Sequence, residues 1–146
     1  MARDLSDDFK VLDRYQAFST EVLRLGLLGI GAIGVLVVGG KGISPLVTAT
    51  STSILTKIAI LLSLSGFAAA CAFALCHRYW STDAMACLKK LSDLREMREP
   101  DESKITAEFT GMERAFDLST RSIGRSAVAL AVGAIALAIT FALALT

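Results

Sequence analysis

Residues 73–83 read FALCHRYWSTD and gather the groups most able to do chemistry: Cys76, the sole histidine His77, Arg78, Tyr79 and Trp80. A thiolate beside an imidazole suggests a metal site. Zinc needs three or four such ligands converging on one point. Neighbours on a helix point about 100° apart, and Cys87 stands about 15 Å beyond His77 if the helix continues. With one histidine in 146 residues, no haem or zinc set closes within a single chain. Only a ligand shared between subunits would complete one. The role of this stretch therefore depends on the elements that carry it.

Those elements are set by three apolar blocks in a chain that is 53% hydrophobic. Residues 22–40 hold one charge, Arg24, while 58–76 and 127–146 hold none. A bilayer core of about 30 Å needs roughly 20 apolar helical residues, which each block approaches. Core helices of a soluble bundle would alternate apolar and polar at the helical period, and these blocks do not. The first block follows five acids (Asp4, Asp7, Asp8, Asp13, Glu21), unlike a basic leader, and no small-x-small cleavage site follows it before Lys41. It reads as a retained span. The fold class expected is all-α: a polytopic membrane protein with three transmembrane helices and a cytoplasmic helical bundle.

Basic residues give the orientation. Arg3, Lys10, Arg14 and Arg24 precede or open the first span, nine Lys or Arg fall in 77–126, and only Lys41 and Lys57 lie between the first two spans. Basic flanks stay inside. The expected order is a cytoplasmic amphipathic helix 1–21, spans 22–40 and 58–76 joined by an external loop 41–57, a cytoplasmic hairpin 77–126, and a third span 127–146 ending outside. In that frame Arg78, Tyr79 and Trp80 form an interface belt, since Arg snorkels and aromatic rings with polar tips favour the headgroup level.

Within the cytoplasmic segment, Ala84, Cys87, Leu91 and Leu94 recur at steps of three and four. Glu99-Pro100 ends that helix, because proline lacks an amide donor and restricts the residue before it. Asp101 then caps a second helix with the stripe Ile105, Phe109, Met112, Phe116, Ser119, Ile123. Val11, Tyr15, Phe18, Val22 and Leu25 give the N-terminal helix a matching stripe, so three helices can form a small bundle. The cysteines read as buried small hydrophobes, with no disulfide framework.

Residues 77–126 carry nine basic and nine acidic side chains, which leaves no cationic stripe for nucleic acid. No Walker A loop, dinucleotide fingerprint or HExxH is present, so neither enzyme nor cofactor is expected. The spans contain no Asp or Glu, which disfavours proton-coupled pumps and cation transporters. They are instead rich in small residues. Ser126, Ala129, Gly133, Ala136, Thr140 and Ala144 share one face of the third span, Gly66, Ala70 and Ala74 one face of the second, and the first is glycine-rich. Such faces let helices approach closely, within a chain or between chains. Ser44-Pro45 suits a helix start, after which Thr48, Thr52, Thr56, Ser63 and Gly66 can align, although residues 46–53 can instead be extended. These hydroxyls either line water in an oligomeric pore, with Thr52, Thr56, Ser63 and Lys57 along it, or bond to neighbouring backbone.

The helix ending RYQAFSTEVLRLG, two closely spaced spans, and YWSTDAMACLKKL after the second resemble, over residues 8–95, the SLATT-type two-pass membrane effectors of bacteria. That resemblance implies a protein that oligomerises into membrane-perturbing pores when a linked sensor is triggered. The chain departs from it in its third span and in carrying no sensor domain, so a trigger would come from another protein or a ligand. The expectation is a small homo-oligomeric, pore- or channel-like effector of the bacterial inner membrane, contacting membrane lipid and controlled through its cytoplasmic helices. The alternative is a non-conducting accessory or scaffold subunit of a larger complex.

Overall fold

The computed structural model describes residues 5–38, 54–96 and 101–145. The described residues form three helices: α1 (Leu5–Val38), α2 (Ile54–Glu96) and α3 (Glu102–Leu145). Each is long and apolar enough to cross a membrane. At 34, 43 and 44 residues they run about 51, 65 and 66 Å, roughly twice what the hydrocarbon core requires. The Ser44-Pro45 start, Thr48, Thr52, most of the 41–57 loop and the Glu99-Pro100 stop lie outside the described residues.

The start of α3 is the one expected from Asp101. Its carboxylate accepts from the Ser103 amide at 3.1 Å, the Lys104 amide at 3.3 Å and the Ser103 hydroxyl at 2.7 Å, while its carbonyl takes the first helical bond from Ile105. This is an N-cap satisfying amides that the first turn leaves unpaired. The Ser103 bond, then those of Lys104, hold the Asp101 carboxyl down to about 2, so the cap stays ionised throughout the physiological range.

The helices pass through two compact units. The first comprises Met1–Thr20 and Ala74–Gly124. Its core joins Leu12 of α1, Ala84 and Leu88 of α2, and Met112 and Ala115 of α3, with Trp80, Met85, Cys87, Phe109 and Phe116 packed around them. On α3 the inward row follows the expected stripe, with Met112, Ser119 and Ile123 buried. On α1 it does so only in part. Within this unit Tyr15 is half-buried as expected, but Val11 and Phe18 are 37% and 48% exposed while Leu12 and Ser19 are buried; farther along the helix Val22 is buried as expected and Leu25 is 50% exposed.

The second unit comprises Glu21–Phe73 and Arg125–Thr146. Its interior is built from small residues: Gly26 and Gly29 of α1, Ala59, Ser63, Gly66 and Ala70 of α2, and Ser126, Gly133 and Ala136 of α3, with Phe67 among them. A Cβ on Gly66 would lie 2.7 Å from the Gly133 Cα, so α2 and α3 meet backbone to backbone. On α1, Gly29 leaves room for the Phe67 ring, 2.6 Å from where a Cβ would stand. The small faces are thus used within the chain. Leu27, Leu28, Val35, Ile58, Leu61, Leu62, Val132 and Ile135 point outward. Large apolar groups outside and small ones inside invert the pattern of a water-soluble bundle and fit a membrane protein.

Candidate functional site

The unusual chemistry lies inside the first unit. On α2 the buried positions Ala70, Ala74, His77, Ser81, Ala84, Leu88 and Leu91 follow one another at steps of three and four, a heptad seam that includes the histidine. His77 is 0% exposed. Its Nδ1 lies 2.8 Å from the Ser119 hydroxyl and 3.0 Å from the Ser119 carbonyl oxygen on α3. The Tyr15 ring of α1 meets the imidazole edge-on at a centroid distance of 6.1 Å, and Phe116 lies 6.5 Å beyond Tyr15. All three helices therefore contribute to this layer.

A second polar layer lies one turn away. Gln16 of α1 donates to the Ser81 hydroxyl at 3.2 Å, and Ser81 in turn donates to the Arg78 carbonyl at 3.1 Å. Ser19, also buried, donates to the Gln16 carbonyl at 2.9 Å. These hydroxyls are matched, as buried polar groups must be. His77 is the exception. Its Nε2 is buried and has no hydrogen-bond partner among the described residues. An unmatched buried polar group costs about 1–3 kcal/mol, so a seam position that tolerates one invites a functional explanation.

The residues expected to form a belt separate here. Arg78 and Tyr79 are exposed, Tyr79 at 69%, while Trp80 is half-buried against the hydrophobic core and stacks edge-on with Tyr79 at 5.2 Å. The hydroxyls considered for a pore are placed as follows. Ser63 is fully buried and donates to the Gly133 carbonyl at 2.9 Å. Thr56 is buried, Lys57 is exposed, and Thr52 lies outside the described residues.

The cysteines do not join the site. Cys71, Cys76 and Cys87 are free thiols. Burial, then a hydrogen bond with Glu108 and the charges of Asp83 and Glu108, push the Cys87 thiol up against an opposing effect of Lys90, which keeps it protonated and unreactive. Among the described residues, no three His, Cys, Asp or Glu side chains are grouped to hold a metal ion. Comparison with protein-family models, curated proteins and solved structures gives no match.

Proposed function

We propose that this chain is a small integral membrane protein of the bacterial inner membrane that crosses the bilayer three times. The N-terminus and residues 77–126 lie in the cytoplasm and the C-terminus outside, as the basic flanks indicate. It works as a homo-oligomer, a pore- or channel-like effector governed through its cytoplasmic helices. The observation that carries this reading is the pairing of a second unit that is apolar outside and small-residue-packed inside with a first unit holding a buried, incompletely bonded histidine layer. The former suits lipid and subunit contacts, and the latter suits a responsive element. The resemblance to SLATT-type effectors points the same way.

A second reading, a non-conducting accessory or scaffold subunit, is favoured by Ser63. Its hydroxyl is spent on the Gly133 carbonyl of the same chain, so it reaches water only if α2 draws away from α3. Native mass measurement and planar-bilayer recording of the purified protein decide between them. The pore reading expects a closed ring of identical chains with discrete conductance, lowered by Ser63→Leu, and a reversal potential moved toward cations by Lys57→Glu. A monomer, or a particle containing other subunits, that stays electrically silent supports the scaffold.

A further inference from the structure

We propose that His77 is a proton-operated latch on the three-helix first unit. The inference rests on hydrogen-bond accounting and does not depend on whether the chain conducts. A carbonyl oxygen only accepts, so the 3.0 Å approach of Nδ1 to the Ser119 carbonyl suits an N–H at Nδ1, and in that tautomer the Ser119 hydroxyl beside it at 2.8 Å accepts as well. In the neutral ring Nε2 is a bare acceptor in one tautomer and a donor in the other. Neither finds a match among the described residues.

Protonation changes the balance between closed and open forms. The imidazolium carries N–H groups on both nitrogens. The Nδ1 side already faces two oxygens of Ser119, but Nε2–H and the new charge face neither an acceptor nor a counter-ion. From α1 the group presented is the Tyr15 ring, and from α3 it is Ser119. The charged residues of neighbouring turns are Asp13 and Arg14 on α1, Arg78 on α2, and Asp117 and Arg121 on α3. All are exposed, and Asp117 and Arg121 are engaged with each other at 2.8 Å. No carboxylate is buried among the described residues. The imidazolium is therefore accommodated by parting the seam until Nε2 meets water.

The closed seam holds the ring neutral, with one N–H, and the open one accommodates the second ring proton of the imidazolium, so acid favours the open form. Opening exposes the apolar lining around Tyr15, Trp80 and Phe116, which gives proton concentration a structural output.

The chain supplies its own reporters, since His77 is the only histidine and Trp80 the only tryptophan. The test uses the full-length protein, labelled with 15N-histidine, in phosphatidylcholine nanodiscs titrated from about pH 8 to 5. Imidazole 15N shifts follow the proton, and acrylamide quenching of Trp80 follows the seam. The expected result is a neutral ring at the upper end, then protonation and an at least about twofold rise in quenching at one common, reversible midpoint. His77→Gln removes the quenching transition. Protonation without a quenching change, or the same transition in His77→Gln, overturns the proposal. Should that variant not fold, the parent alone decides: separate midpoints for the ring and for Trp80 overturn it.

Discussion

Gly66→Ala lowers the stability of the second unit, although the same substitution elsewhere in a helix raises it. Replacing a mid-helix glycine by alanine ordinarily gains about 0.5–1 kcal/mol, because glycine loses more backbone freedom on folding. At Gly66 the added Cβ would stand 2.7 Å from both the Cα and the amide nitrogen of Gly133 and 3.1 Å from the Ala129 carbonyl oxygen. All three are backbone atoms, so no side chain can swing aside and the helices themselves must separate. Overpacking of this kind costs about 1–3 kcal/mol. The separation also breaks the Ser63 to Gly133 hydrogen bond, which lies in the same contact. Gly31→Ala and Gly34→Ala are the controls, since a Cβ there meets nothing within 4 Å. Thermal unfolding in detergent should place Gly66→Ala below the parent and both controls at or above it. Equal melting of all three variants would mean that α2 and α3 do not meet at the glycines.

Leu88→Ala is expected to have the largest effect in the first unit. Leu88 is 0% exposed and belongs to one core cluster with Leu12, Ala84, Met112 and Ala115, to which all three helices contribute. Truncating such a leucine removes its transfer energy and leaves a cavity, together about 2–5 kcal/mol. Phe109→Ala should cost less, because Phe109 packs on the margin of this core and is partly exposed. Val11→Ala tests the facing of α1. Val11 lies outward at 37% exposure, and its loss should stay within about 0.5 kcal/mol. Denaturant unfolding followed by Trp80 emission provides the measurement. A Val11→Ala variant as damaged as Leu88→Ala would place the other stripe of α1 in the core.

These two positions also show what was legible in the sequence. The small-residue faces of α2 and α3 stood out because Gly66, Ala70, Ala74 and Gly133, Ala136, Thr140 repeat at helical spacing, and the structure turns both rows inward. The cap at Asp101 was legible for a local reason, since it needs only its own next three residues. On α1 hydrophobic spacing found the inner row at Tyr15 and Val22 and missed it elsewhere. Val11, Phe18 and Leu25 are exposed, while Leu12, Ser19 and Gly26 are buried, and a serine and a glycine on an inner row give no hydrophobic signal. His77 was missed as a core residue for a related reason. Its neighbours Arg78, Tyr79 and Trp80 suggest a surface, and only by continuing the spacing of Ala70 and Ala74 through to Ser81 and Ala84 does position 77 fall on the inner row. Its bond to Ser119, 42 residues away, had no local signal at all.

In the proposed topology each of the three helices crosses the bilayer once. The most direct measurement is a pair of topology reporters, one fused before Met1 and the other after Thr146, read in intact cells. Three crossings predict a cytoplasmic signal from the N-terminal fusion and an external signal from the C-terminal one. Both termini on the same side would contradict it.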